Sequence, residues 1–258
     1  MSDEARLVEA VEAAGWADLV RACPPPLAQA LGMAVIEHGA AASSLAPRMP
    51  IALFNRSFGW ETSEDWQAAL KRHRDSSAPD FFLQPPPWLN ASFAGDGLQR
   101  RSRWAKTIRG REPVAAMPTT LRIAEARAQD GEAFAAAAVG GFGMPPALAP
   151  WLVAMVGRPG WRTYVGWDGD QPVAAGALYI KGDTAWCGLG ATLTSHRGRG
   201  GQCALLARRI EDALAAGCRV VVTETGEDTA EAPNPSFRNM MRTGFRTVHF
   251  RDNWGPPR

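Results

Sequence analysis

Residues Thr192 to Leu206 of this 258-residue chain join the end of a strand to a glycine-rich loop and then to an amphipathic helix. The loop reads Arg197-Gly198-Arg199-Gly200-Gly201-Gln202. Glycine lets a chain turn tightly with its N–H groups pointing inward, and the first turn of a helix leaves several N–H donors unpaired beside a partial positive charge. The sequence therefore predicts a loop that binds an anion such as a phosphate group.

Spacing separates three kinds of phosphate-binding loop. A Walker A loop needs Lys and then Ser or Thr after its last glycine, where this chain has Gln202 and Cys203, so nucleoside triphosphate binding is poorly supported. A dinucleotide-binding loop needs glycine at position 203, although Glu224 lies at nearly the distance expected of the acidic residue that binds the ribose. A dinucleotide such as NAD therefore stays open as a ligand.

The third pattern fits best. The loop resembles the pyrophosphate loop of the GNAT superfamily, the Gcn5-related N-acetyltransferases. In that family an Arg or Gln is followed three residues later by Gly, and two residues after that by Gly or Ala. Arg197 and Gly200 match this pattern, whereas Gln202 departs from it at the third position.

The order of predicted elements around the loop is also similar to that of the family. Asp168-Gly169-Asp170 joins two predicted strands in a hairpin, and Thr184 to Leu193 forms a third strand that leads into the loop. After the loop helix, the β-branched run Arg219 to Glu224 predicts a buried strand. Asn234 caps a further helix, and Gly244-Phe245 opens the last strand.

The N-terminal half contains no such loop. Its pattern predicts a helix from Ser2 to Ala22, a strand around Ile51–Phe54, a helix from Thr62 to His73 and a strand at Asp80–Leu83. Hydrophobic periodicity thus gives this half α and β elements, but nothing with a spacing that predicts chemistry.

The two halves end alike, because Gly97-Leu98 and Gly244-Phe245 each follow a short helix and open a final strand. We therefore predict a degenerate GNAT-like lobe in residues 1–117 and a GNAT acetyltransferase domain in residues 118–258, as in two-lobed or tandem members. The resemblance implies an α/β (α+β) fold with a mixed, mostly antiparallel central sheet flanked by helices. Two unrelated halves with similar turns are the alternative.

The resemblance implies acetyl-CoA as cosubstrate. Thr192 and Leu193 would offer backbone groups to the pantetheine arm. The N–H groups from Gly198 to Gln202 would hold the pyrophosphate, and Arg197 and Arg199 would both add charge. Asparagine near the pantetheine arm is also a feature of the family. The predicted cofactor-binding residues are Thr192, Leu193, Arg197, Gly198, Arg199, Gly200, Gly201, Gln202, Asn234 and Asn239.

Acetyl transfer to an amine requires the neutral amine, whose pKa when free is about 10, so a base is needed. Glu224 is the predicted catalytic base, and His196 is a second candidate. The family places a tyrosine acid four residues before the Gly-Phe pair, where this chain has Met240. Ser236 is the predicted catalytic substitute, with Asn239 or a bound water as alternatives.

Composition and charge limit the classes of ligand and partner that this chain is expected to bind. The formal net charge is +2, which leaves no general nucleic-acid footprint. Four cysteines without paired spacing and four scattered histidines predict neither a metal site nor a disulfide framework. The lack of a disulfide framework predicts a reduced, cytoplasmic setting. The acidic N-terminus and the lack of a long apolar run predict no leader and no membrane span. We expect a bacterial-like protein.

The leading prediction is an acyl-CoA-dependent N-acyltransferase that transfers acetyl directly from acetyl-CoA to the amine of a small molecule. We expect a small amine, amino acid or antibiotic as partner, no nucleic acid or membrane, and a homodimer as the assembly to consider. The first alternative is a catalytically inactive CoA-binding or ligand-sensing GNAT-like protein. An interaction protein without a CoA site and an NAD-dependent dehydrogenase are the others.

Overall fold

The computed structural model describes residues 3–38, 41–60, 62–89 and 92–257. Packing divides the chain into two compact units. The first contains the residues up to Lys106 together with Thr225–Ala232 and the residues from Thr247 onward, and the second contains Thr107–Glu224 and Pro233–Arg246. The domain boundary between residues 117 and 118 stays a prediction.

Seven helices and eleven strands are formed by the described residues. In chain order they are α1 (Asp3–Arg21), α2 (Pro25–Leu31), β1 (Ala34–His38), β2 (Ala41–Leu45), β3 (Arg56–Phe58), α3 (Ser63–Asp75), β4 (Phe82–Leu83), β5 (Gln99–Arg109), β6 (Arg122–Glu125), α4 (Gly131–Phe142), α5 (Ala149–Val153), β7 (Trp161–Asp168), β8 (Gln171–Lys181), β9 (Thr184–Thr192), α6 (Gly201–Ala215), β10 (Val220–Gly226), α7 (Pro235–Arg242) and β11 (Arg246–Gly255). None of these helices is long and apolar enough to span a membrane.

The second unit is built around antiparallel strands β6, β7, β8 and β9, with β10 added parallel to β9. The end of β5 lies next to β10, where the Thr107 hydroxyl donates to the Thr223 carbonyl at 2.8 Å. Helices α4 and α6 both pack on β8 and β9. The predicted mixed, mostly antiparallel sheet flanked by helices is therefore confirmed.

The first unit repeats this connectivity. Strands β1, β2 and β3 are antiparallel, α3 then crosses to β4, and β4 runs parallel to β3, just as α6 crosses from β9 to the parallel β10. The next strands in this unit are β11, which is antiparallel to β4, and then β5. Each half thus has its last strand after a glycine with positive φ, Gly97 at 76° and Gly244 at 85°.

Most elements predicted in the N-terminal half form. The first predicted helix is confirmed from Asp3, while Ser2 lies outside the described residues, and α3 and β4 are also present. The strand predicted around Ile51–Phe54 is wrong, because Ala52–Phe54 form a 3-10 turn. The turn pairs its own backbone, because the Phe54 N–H donates to the Ile51 carbonyl and the Asn55 N–H to the Ala52 carbonyl, both at 3.0 Å. The Asn55 side chain also bonds both backbone groups of Ala46.

A buried ion network ties α1 to three strands of the first unit. Glu12 accepts hydrogen bonds from Arg56 (3.0 Å), Arg251 (3.0 and 3.1 Å) and Lys106. Arg251 also donates to Glu9 at 2.5 Å. Burial alone would raise the pKa of Glu9, but the charges of Arg251 and Lys106, with a hydrogen bond to a histidine, lower it to about 2. The Glu9 carboxylate is therefore ionised at neutral pH.

We expect Glu12→Gln to lower the free energy of unfolding by about 3–5 kcal/mol, because it removes a buried charge that three cations share. Urea unfolding followed by circular dichroism measures the change. Asp75→Asn is the control, since its ion pair with Lys71 is largely exposed and should contribute ~0.5 kcal/mol or less. Equal losses in the two variants would contradict a stabilising role for the network.

Candidate functional site

Strands β9 and β10 begin as a parallel pair and then part. Their register joins Val220 to Thr184 and ends with Val222 opposite Trp186. Just beyond this register the Thr223 hydroxyl donates to the Cys187 carbonyl at 2.8 Å. Both strands continue beyond this point, so a gap opens in the ladder on the β10 side of β9.

A β-bulge in β9 follows directly after the point of separation. Gly176 of β8 lies opposite two residues of β9, Leu189 and Gly190, because the register shifts between Ala175 and Ala177. Leu189 has φ of 52°, which is unusual for a residue with a side chain. A bulge bends its strand and increases the local twist, so it turns β9 away from β10.

The glycine-rich loop continues from the end of β9. A 3-10 turn at Thr194–His196 leads to Gly198 and Gly200, which have φ of 79° and 76°. At Gly200 a Cβ atom would lie 2.1 Å from the Pro118 carbonyl oxygen, whereas at Gly198 it would meet open space. Gly200 is therefore required by packing as well as by backbone conformation.

The N–H groups of this loop have no partner in the described part of the chain. Helix α6 begins after Gly200 without a side-chain cap. By contrast, α7 is capped by the Asn234 side chain, and α3 by a capping box. From Gly198 to Gln202 no backbone N–H donates to any described residue. Five successive N–H groups are thus available to an anion at a helix N-terminus.

The two loop arginines differ in environment. Arg199 makes a bidentate ion pair with Asp168, at 2.6 and 3.0 Å, and also donates to the Thr120 hydroxyl. The hydrogen bond from Arg199, together with His196, lowers the pKa of Asp168. Arg197 is exposed and has no carboxylate partner among the described residues, and its Nε donates to the Thr192 carbonyl at 3.4 Å. Arg197 is therefore the loop cation with its charge uncompensated.

Thr192 and Leu193 face opposite sides of β9. The Leu193 N–H donates to the Val173 carbonyl of β8 at 2.9 Å, and its own carbonyl accepts from His196 N–H. Since successive residues of an antiparallel strand direct their backbone groups to alternate sides, those of Thr192 point away from β8. Of the two predicted residues, only Thr192 directs its backbone groups toward the gap.

Gln202, which departs from the family pattern, has a defined place. Its Nε2 donates to the Ala191 carbonyl at 2.6 Å and to the Thr192 hydroxyl at 2.7 Å. A Cβ at Gly190 would lie 2.9 Å from Gln202 Oε1. The long side chain fits because the strand facing it carries glycine, and it fastens the loop to the end of β9.

Helix α4 reaches the same strand through two glycines. A Cβ at Gly141 would lie 2.7 Å from Ala191 Cβ, and one at Gly140 would lie 2.6 Å from the Leu193 side chain. The next residue, Phe142, is 47% exposed although it is large and apolar. The end of α4 therefore packs closely on β9 and presents an aromatic surface beside it.

Glu224 lies in an aromatic environment near the gap. The Trp186 indole N–H donates to Glu224 Oε2 at 2.8 Å, which fixes that oxygen. The Trp186 ring meets Trp161 edge to face at 6.0 Å between centroids, and Trp161 contacts Tyr179 at 5.0 Å. Residue spacing placed Glu224 at a strand end, but its bond to Trp186 depends on two strands that are distant in sequence.

The residues predicted on α7 are spread around that helix. Met240 is buried in the apolar core with Phe245, while Ser236 is exposed in the first turn. Asn234 Oδ1 accepts from the N–H groups of Ser236 and Phe237, at 3.0 and 3.4 Å, so it is a helix cap. Asn239 accepts a long bond from a neighbouring arginine of the same helix. Their roles in a shared site stay a prediction.

The two tyrosines have different environments. The Tyr164 hydroxyl donates to Asp212 of α6 at 2.7 Å, and burial raises its pKa. Tyr179 packs on Trp161. His196 bonds Ser195 through Nδ1 and lies 3.3 Å from Asp168 through Nε2, which places it in the loop rather than beside Glu224.

Sequence reasoning missed Arg209. It lies on the buried face of α6, whose other buried residues are apolar, and it donates to three backbone carbonyls. An arginine at a core position of an otherwise apolar stripe was the available signal. Among the described residues, no group of three His, Cys, Asp or Glu side chains could hold a metal ion.

Comparison with known proteins identifies the fold. No protein-family model matches the sequence, and no curated protein sequence matches it significantly. A solved GCN5-related N-acetyltransferase from Kribbella flavida aligns with 100% of this chain and 97% of its own, at 18% identity and a TM-score of 0.64. The chain has the GNAT fold.

Two further solved structures support the assignment of the GNAT fold. A GCN5-related N-acetyltransferase from Sphaerobacter thermophilus aligns with 85% of this chain and 81% of its own, at 14% identity and a TM-score of 0.61. A tandem GNAT protein from the clavulanic acid biosynthesis pathway aligns with 98% of this chain and 95% of its own, at 15% identity and a TM-score of 0.55. The two-lobed type of GNAT fold, predicted from the sequence, is thereby confirmed.

The two loop glycines should respond differently to alanine. We expect Gly198→Ala to lower the free energy of unfolding by about 1–2 kcal/mol, the typical penalty for a side chain in a left-handed conformation. Gly200→Ala should lower it by more, because its Cβ also collides with the Pro118 carbonyl. Urea unfolding of both variants tests this, and equal losses would show that the close approach to Pro118 does not constrain the loop.

Proposed function

We propose that this protein is an acyl-CoA-dependent N-acyltransferase that transfers acetyl from acetyl-CoA directly to an amine of a small molecule. The observation that carries the proposal is the row of unpartnered N–H groups from Gly198 to Gln202, at an uncapped helix end beside a split strand pair. A binding site for phosphate alone would not require β9 and β10 to part.

The residues present fit this cosubstrate. The five N–H groups would bind the pyrophosphate, and the exposed Arg197 would add a charge-assisted contact. The backbone groups of Thr192 face the gap that an extended pantetheine arm would enter. When bound, acetyl-CoA supplies the acyl group as a thioester.

Glu224 is the proposed base. Its carboxylate would take a proton from the acceptor ammonium, so that the neutral nitrogen forms the new C–N bond while the C–S bond breaks. Trp186 holds Oε2 in one orientation, and a positioned base transfers protons more effectively than a mobile one. The aromatic side chains beside it would also favour a cationic amine.

The departing thiolate needs a proton, and the position of the usual tyrosine is occupied by the buried Met240. A thiol has a pKa of about 8.5, so a thiolate is only a moderately strong base and can leave without a strong acid. Ser236 stays the candidate side-chain donor, with solvent as the other source. We therefore expect Ser236→Ala to retain most of the turnover.

For the acceptor we propose a small-molecule amine with an apolar part, bound near the loop at 141–146. The exposed Phe142 supports an apolar acceptor surface. No nucleic acid or membrane enters the proposed reaction. The cytoplasm is the proposed location, and a homodimer the proposed assembly.

A charge at Gly198 tests the cosubstrate site. Asp and Asn both tolerate positive φ and have the same shape, and a Cβ at this position meets open space. We expect Gly198→Asp to weaken CoA binding at least tenfold relative to Gly198→Asn, because the carboxylate repels the pyrophosphate. Calorimetric titration with CoA, and separately with NAD, measures this. Tight NAD binding without CoA binding would instead favour the dinucleotide alternative.

Removing the proposed base should reduce turnover without weakening CoA binding. We expect Glu224→Gln to lower kcat about 10²–10⁴-fold in an acetyl transfer assay over a panel of amines, with CoA affinity nearly unchanged. The deficit should shrink as pH approaches the pKa of the acceptor amine, where the neutral form is already present. Glu211→Gln, an exposed position on α6, is the control.

The buried Met240 favours one alternative, a CoA-binding or ligand-sensing protein without catalysis. That alternative predicts CoA binding that is sensitive to Gly198→Asp, but no acetyl transfer to any amine. Turnover by the wild-type protein that Glu224→Gln abolishes would exclude it.

A further inference from the structure

Arg209 is a buried cation on the helix that follows the glycine loop. It is 3% exposed and has no carboxylate partner in the described part of the chain. Burial lowers the pKa of its guanidinium, the expected effect of removing an unpaired charge from water. Burying a charge without a counter-charge costs free energy unless hydrogen bonds compensate for the lost water. The groups that accept the hydrogen bonds of Arg209 therefore indicate its role.

Two of the three acceptors lie beside the bulge of β9, and the third lies on α6 itself. Nη1 of Arg209 donates to the carbonyls of Ala177 (3.3 Å) and Gly188 (2.9 Å), which are paired residues of β8 and β9. Its Nε donates to the Leu205 carbonyl at 3.0 Å. A bulge interrupts the ladder and leaves backbone groups poorly paired, and Arg209 provides donors directly beside that interruption.

Glycines make room for this side chain. A Cβ at Gly176, the single residue opposite the bulge, would lie 3.0 Å from Arg209 Cζ. A Cβ at Gly190 would lie 3.5 Å from Arg209 Nη2 and closer still to Gln202. Arg209 and Gln202 of α6 therefore fill the space beside the bulge. They fit there because β8 and β9 carry glycine at the positions that face them.

The bulge contains a strained residue. Leu189 is one of two described non-glycine residues with positive φ, a conformation that does not persist unless its surroundings enforce it. If the bulge relaxed to regular pairing, the residues beyond it would shift by one position, and the backbone groups facing the gap would exchange with those facing β8. Thr192 would then no longer point into the gap.

We infer that Arg209 is a positioning residue for the pantetheine arm, because it fixes the bulge that directs the backbone of β9 into the gap. This inference rests on the proposed function. The inference predicts different effects on the two parts of the cosubstrate, because the glycine loop would bind the phosphate groups whether or not Arg209 holds the bulge. Loss of Arg209 should therefore weaken binding of the arm and spare binding of the nucleotide.

Calorimetric titration of the full chain with CoA and with adenosine 3′,5′-bisphosphate, which lacks the arm, tests this. We expect Arg209→Met to weaken CoA binding at least tenfold and bisphosphate binding by less than twofold. Arg208→Met is the matched control, because that neighbour is partly exposed and pairs with Asp212. CoA binding as in the wild type, or equal losses for both ligands, would overturn the inference. If the wild type binds neither ligand, the proposed function fails instead.

Two further measurements address the bulge itself. Leu189→Gly added to Arg209→Met should restore at least part of the CoA affinity, because glycine adopts positive φ without strain. Hydrogen exchange should become faster in the β9 segment 187–192 of Arg209→Met but not of Arg208→Met, with or without ligand. Unchanged exchange would show that Arg209 does not hold the bulge, even in a protein that does not bind CoA.

Discussion

The split between β9 and β10 is the constraint on which the rest of the second unit depends. A buried strand must pair its backbone groups or leave them unfavourably unpaired, so two strands that part inside a sheet need a cause and a compensation. The bulge at Leu189–Gly190 is the cause, since it turns β9 away from its neighbour. Side chains of α6 bond carbonyls around it, and an extended ligand would pair with the rest.

The same topology without these features gives a different lobe. In the first unit α3 also crosses between parallel strands, but its N-terminus is closed by a capping box and no glycine loop precedes it. The interior of that unit is instead occupied by a buried ion network centred on Glu12. A helix whose end is already satisfied has no N–H groups to offer an anion, which is why only one lobe contains a candidate cosubstrate site.

The charged side chains of the two units serve different roles. The first unit buries three cations, Arg56, Lys106 and Arg251, that pair with two carboxylates, Glu9 and Glu12, and these ion pairs serve stability. The second leaves Arg197 uncompensated at the surface and pairs Arg199 with Asp168. Arg197 is thus available to a ligand, whereas the ion pair of Arg199 stabilises the loop.

The sequence by itself determined the features that arise within short segments. Strand, loop and helix around Gly200, the cap at Asn234 and the turn before the last strand all follow from local backbone preferences. The loop glycines predicted the N–H row, and the resemblance of these segments to the GNAT pattern predicted the fold. Only the tertiary structure decided that Trp186 bonds Glu224, that Leu193 pairs with β8 and that Met240 lies in the core. Arg209 belongs to this second group. Their roles depend on contacts between segments far apart in the chain, which no local pattern encodes.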